Sequence, residues 1–160
     1  MSSLSRDLSA AVDSIDAGRL PAKVSVENGP HRVELDLVAG GPVGVSFDRL
    51  DFAAEGVNDK TPAELRGRAD RVAGRLSYLM EPLAVVEHDP QGAGVVIRSQ
   101  PPSQRGDVHA YYEANLRDDG HLTLGRVAFD ETDRERHPVP CQLTREALDR
   151  LVDDLADVIR

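Results

Sequence analysis

Leu4, Leu8, Ala11, Val12 and Ile15 recur at helical spacing among polar residues, which predicts an amphipathic helix over residues 4–17. Gly18 is placed to end it, and Pro21 prevents its continuation. The period then drops to two. Val24 and Val26, then Val33, Leu35 and Leu37, then Val43, Val45 and Phe47 alternate with other residues, so three strands are expected. Asn28-Gly29 reads as a two-residue hairpin loop, because a type I′ turn needs positive φ at both positions. It would pair Val26 with His31 and Val24 with Val33. Ala39-Gly40-Gly41 reads as a three-residue loop pairing Leu37 with Val43, Leu35 with Val45 and Val33 with Phe47. Apolar parity then moves from Phe47 to Leu50 and Phe52, which predicts a bulge near Asp48-Arg49.

Thr61-Pro62-Ala63-Glu64 opens a second helix. Threonine caps, proline takes the first helical position and glutamate completes a capping box. Leu65, Ala69, Val72, Leu76, Leu79 and Met80 form its apolar stripe, with Pro82 beyond the end. Short apolar runs at 84–86 and 95–97 flank a turn at Asp89-Pro90-Gln91-Gly92, and their register stays open. Pro101-Pro102 and residues 103–106 read as an exposed loop. From 107 to 117 the alternation is clean. Val108, Ala110, Tyr112, Ala114 and Leu116 point one way; His109, Tyr111, Glu113, Asn115 and Arg117 point the other. Asp118-Asp119-Gly120 is a three-residue loop pairing Leu116 with Leu122 and Ala114 with Leu124. Gly125 is expected to permit a parity change that returns Val127 and Phe129 to the core. A last strand carries Val139, Cys141 and Leu143 on one face. Thr144 caps a final helix with the stripe Leu148, Leu151, Val152, Leu155 and Ile159.

The expected order is α-βββ-α-βββββ-α, an α+β fold of antiparallel β-meanders packed with three amphipathic helices. Hairpin loops this short leave no room for helical crossovers, which argues against a Rossmann fold. One domain over residues 1–160 is expected at this length, with residues 55–60 the best place for a subdomain seam. The element order is similar to that of small acidic secretion chaperones, which bind extended client segments as dimers. That resemblance covers most of the chain, although the second meander here has more strands.

Charge narrows the partners. A formal net charge of −9 opposes polyanion binding, so nucleic acid is not expected. The N-terminus has Ser, Arg and Asp between its apolar residues rather than a signal run, and no stretch reaches the ~20 apolar residues of a membrane span. The expected compartment is the cytoplasm, without membrane contact. Cys141 is the only cysteine, so no intrachain disulfide can form.

Candidate chemistry is sparse. His137 and Cys141 form an H-x3-C pair, but two ligands do not close a tetrahedral zinc site, and parity sends Cys141 to the core. His109, Tyr111 and Glu113 share a strand face that Arg117 and His121 extend. A histidine and a glutamate in reach of each other could do acid–base work, and the plainer reading is a solvated strand face. Arg68, Arg71 and Arg75 run along one side of the second helix, able to hold an anion or a carboxylate-rich partner. Asp149, Asp153 and Asp157 stack at i, i+4, i+8 on the last helix, so one stripe could answer the other within the chain or across a dimer. The glycine pairs at Gly40-Gly41 and Gly92-Ala93-Gly94 lie between strands and do not open helices, so neither is a phosphate cradle. No cofactor is implied. The reading is a non-enzymatic protein-binding module whose partner is another protein or a second copy. Its rival is a small enzyme or small-molecule binder using the His109, Tyr111 and Glu113 face.

Overall fold

The computed structural model describes residues 3–79, 82–88, 93–99 and 103–160. Met80, the turn at 89–92 and Pro101-Pro102, all named in the sequence reading, lie outside these residues. The chain builds α1 (Ser3–Asp13), β1 (Ala22–Asn28), β2 (His31–Gly40), β3 (Gly44–Ala54), α2 (Pro62–Arg75), β4 (Leu83–His88) and β5 (Gly94–Ser99). There follow β6 (Ser103–Arg105), β7 (Val108–Arg117), β8 (His121–Asp130), β9 (Glu135–Val139), β10 (Cys141–Thr144) and α3 (Arg145–Val158). This is the expected α+β order. The five strands anticipated after α2 appear as seven, because 103–105 pairs with β7 instead of forming loop, and Pro140 divides the last strand into β9 and β10.

The two meanders join in one antiparallel sheet of order β1-β2-β3-β8-β7-β5-β4. The seam is the pairing of Leu50 with Leu124 and Phe52 with Leu122. Beyond it β3 and β8 part, and the fork is filled from the C-terminal end. There β9 pairs β8 from Arg126 to Asp130, while β10 pairs β3 through Cys141–Phe47 and Leu143–Val45.

Turn chemistry moves two hairpins from their expected register. The first loop is Gly29-Pro30, with Asn28 opposite His31, Val26 opposite Val33 and Val24 opposite Leu35. An Asn28-Gly29 loop would close on residue 30, and proline has no N–H to give the closing pair. Gly29 supplies the positive φ, +60°. The second hairpin also runs further than expected. Leu37 meets Phe47, Leu35 meets Leu50 and Val33 meets Phe52, so the Ala39-Gly40-Gly41 loop is replaced by a tip at 41–44. Pro42, unable to donate to a ladder, is left in that tip, which Gly41 N–H closes on the Gly44 carbonyl at 3.0 Å. The bulge at Asp48-Arg49 is present: three residue steps of β3, Phe47 to Leu50, span two of β2. It keeps Val45, Phe47, Leu50, Phe52 and Ala54 all buried on one face despite the change of parity.

Two further expectations are corrected. The first helix stops at Asp13 instead of residue 17; Asp16 then caps a single 3-10 turn over Ala17–Arg19, accepting from Gly18 N–H at 3.2 Å. Gly125 brings no parity change. β7 and β8 pair without interruption from Val108–Asp130 to Leu116–Leu122, so alternation carries Arg126 to the helix side. Its guanidinium lies 4.6 Å from the Tyr112 ring centroid, while Val127 and Phe129 fall half-buried on the opposite face.

All three helices cover one face of the sheet. α1 lies on β1 and β2, α3 on β3 and β10, and α2 on β4 and β5. Thr61 and Thr144 cap as expected, accepting from Glu64 N–H at 3.1 Å and Ala147 N–H at 3.0 Å. Glu64 reaches back one residue further than the usual box, to Lys60 N–H at 2.8 Å. The apolar stripe of α3, Leu148, Leu151, Val152 and Leu155, is buried throughout, as is Ile159 at its C-cap. Among the described residues no helix is long and apolar enough to cross a membrane.

Candidate functional site

Period-two geometry gives the uncovered face of the sheet mostly polar side chains, with Val127 and Phe129 half-buried among them, and the expected trio lies there beside these two. Glu113 is opposite Arg98 in the β5–β7 register, and its Oε2 accepts from Arg98 Nε and from Arg136 Nη2, both at 2.8 Å. Tyr111 lies beside this pair, with the Arg98 and Arg136 guanidinium carbons each 5.7 Å from its ring centroid. His109 does not meet Glu113. Its Nε2 lies 2.8 Å from Glu131 Oε1 instead. Arg117 is exposed at the end of β7, and His121 pairs with Asp119 at 3.0 Å. The face therefore collects the residues in a line but commits the carboxylate to two arginines. A depression of about 210 Å³ lies beside it at the sheet fork, lined by Glu113, Asn115, Thr123, Gly125, Asp48 and Pro138 among others.

The arginines of α2 divide by role. Arg68 is drawn inward, its Nε and Nη2 meeting both oxygens of Asp59 at 2.8 and 3.1 Å and its Nη1 the Val158 carbonyl at 2.8 Å. This fork-on-fork pair fastens the loop before α2 to the end of α3. Arg75 meets Asp157 at 2.5 Å and Asp154 at 2.6 Å, so one member of each charged stripe does answer the other within the chain. The hydrogen bond from Arg75 holds the Asp157 carboxyl below its usual range. Arg71 is exposed. The helix seam also holds a group that spacing did not mark. Tyr78 lies under Arg150, 4.0 Å from guanidinium carbon to ring centroid, and beside the buried Asp154. Burial, then the neighbouring Asp154, push the Tyr78 phenol far above its ordinary range.

Cys141 is fully buried, and burial pushes its thiol up to about 12. His137 faces solvent with Asp133 at 2.9 Å, so the H-x3-C pair is split between surface and core. Asp133, on the β8–β9 turn, and Glu135 and His137, at the start of β9, bring one ligand atom each within 4.8 Å of one another, all exposed.

The remaining feature belongs to the backbone. A two-residue hairpin closes on a hydrogen-bonded pair, Asn28–His31, and bonded and non-bonded pairs alternate from there. Ala22, Val24, Val26 and Asn28 thus turn their peptide groups toward β2, while Lys23, Ser25 and Glu27 turn theirs outward. β1 ends the sheet, and among the described residues no backbone group meets these three. Lys23 and Glu27 flank the strand's midpoint with exposed side chains, and Ser25 between them is exposed as well. Sequence reasoning had no signal for which strand would lie at the edge. Comparison of the chain with protein-family models, with curated proteins and with solved structures finds no match.

Proposed function

We propose that this chain is a non-enzymatic protein-binding module that takes up an extended strand along β1. The observation that carries the reading is the terminal place of β1, at the opposite end of the sheet from β4, where the outward N–H and C=O groups of Lys23, Ser25 and Glu27 meet no backbone partner among the described residues. An added strand gains main-chain hydrogen bonds there, the basis of recognition by sheet extension. The rival, small-molecule chemistry on the His109, Tyr111 and Glu113 face, has less support. Glu113 is held by Arg98 and Arg136, His109 by Glu131, and the adjoining depression of about 210 Å³ is small. Ligand pockets run from roughly 300 to 1,000 Å³.

The test is amide exchange, resolved by residue, on the chain alone and with a panel of extended seven-residue peptides of alternating valine and threonine. Protection of the Lys23, Ser25 and Glu27 amides, by a peptide or by another copy, is the expected result. Ser25→Pro removes the outward N–H while sparing the ladder to β2, and should abolish that protection. Free exchange of all three amides under every condition would overturn the reading.

A further inference from the structure

β1 runs from Ala22 to Asn28, so its midpoint is Ser25. Its outward peptide groups belong to Lys23, Ser25 and Glu27, symmetric about that midpoint. Two such strands laid antiparallel about a two-fold axis at Ser25 bring Ser25 opposite Ser25, Lys23 opposite Glu27 and Glu27 opposite Lys23. All three outward residues of each copy then pair, and all the charges that face each other are opposite. Moving the register by two residues loses a pair and sets the charged side chains against serine. Moving it by four sets lysine against lysine or glutamate against glutamate.

The neighbouring strand extends the match. Within one copy Lys23 is opposite Asp36 and Glu27 opposite Arg32. Lys23 Nζ lies 3.7 Å from both Glu34 and Asp36. Across the joined edges the side chains would read Arg32, Glu27, Lys23, Asp36, with sign alternating at every step over four strands. Opposite charges directly across a strand pair are favourable and like charges are not. On the other face Val26, half-buried in one copy, comes opposite the Val24 of its partner. Pro21 and Pro30 flank the strand, so the paired stretch ends where the donors end.

We infer that the strand β1 takes up is the β1 of a second copy of this chain, antiparallel and centred on Ser25. The inference rests on the sheet-extension reading and names its partner. The two fail separately: a chain that stays monomeric yet protects its β1 amides with a foreign peptide ends the inference and leaves the reading.

Charge reversal tests both partner and register. In sedimentation at low salt the unaltered chain should dimerise. Lys23→Glu and Glu27→Lys should each weaken the dimer about tenfold or more, since two facing pairs become like-charged at once. Mixed in equal amounts, the two variants should associate again, because every facing pair is then opposite. Ser25→Cys provides an independent readout. The Cα atoms of the two substituted positions would lie about 5.5 Å apart across the axis, within reach of a disulfide, and mild oxidation should link the copies. Lys23→Cys should not link, its two sites being roughly 13 Å apart along the strands. A monomer at every concentration, variants that fail to associate on mixing, or readier linkage of the Lys23→Cys chain than of the Ser25→Cys chain would each overturn the inference.

Discussion

Arg68→Met asks whether the α2 arginines are built for a ligand or for the fold. Methionine keeps length and apolar contact but leaves Asp59, whose side chain is only 8% exposed, without its cation. Breaking a buried ion pair from one side costs about 3–5 kcal/mol. Arg68 is itself 13% exposed, so the lower end applies, about 3 kcal/mol. The Val158 carbonyl loses a donor as well, adding about 1 kcal/mol. For a chain of this size, a total near 4 kcal/mol corresponds to a fall in Tm of roughly 8–16 °C. Urea unfolding is the assay: the midpoint should drop with the slope unchanged. Pairing Arg68→Met with Asp59→Asn should recover at least half of the loss, because no charge is then left buried. A single variant that loses less than about 1 kcal/mol would show a solvated pair of ordinary surface strength. Arg68 would then be free to serve an anion, and the structural assignment would fall.

Two further outcomes follow from local geometry. Gly120 has φ +86°, and a Cβ there would come 2.7 Å from the Ala54 carbonyl and 2.8 Å from Val57 Cβ, whereas Gly29 at +60° has open space. Both alanine variants should lose about 1–2 kcal/mol for the positive φ. Only Gly120→Ala should lose more, through the clash, and equal urea midpoints would refute this. The hydrogen bond to Asp133 raises the His137 pKa above 6.5. The charged ring is favoured in the folded state, so its stabilising contribution is full below 6.5 and is lost as pH rises through the folded value. Asp133→Asn should bring the imidazole titration, followed by NMR, back toward 6.5; an unmoved titration would sink the assignment.

Features that depend on a few consecutive residues are legible in the chain. Thr61 and Thr144 cap because a hydroxyl placed three residues before an N–H reaches it whatever the tertiary context. Asp118-Asp119-Gly120 set the β7–β8 register because Gly120 supplies the required positive φ. The bulge at Asp48-Arg49 is visible as a break in apolar parity. Pro30 shows where such reading slips: a favourable dipeptide carries weight only together with the residue after it. Gly125 shows another limit, since a glycine permits a shift that an unbroken ladder does not use. Long-range choices leave no local trace. Nothing near Leu50 points to Leu124, and nothing near Arg68 points to Val158. The candidate face can be found by alternation, but the arginines that occupy it, Arg98 and Arg136, come from strands whose placement only the assembled sheet decides.

β3 serves three neighbours, β2 along one side and β8 and β10 in succession along the other, and the latter two come from residues 121–144. During synthesis the hairpin of β2 and β3 can close once residue 54 has left the ribosome, with one flank bare. At about 5–20 residues per second, that flank waits roughly 3–13 s for residue 121. Over that interval the nascent chain carries Val45, Phe47, Leu50 and Phe52 on a strand with a side open to any passing ribbon. The flank closes only when β8 and β10 take their places along β3, so the late strands protect the early ones.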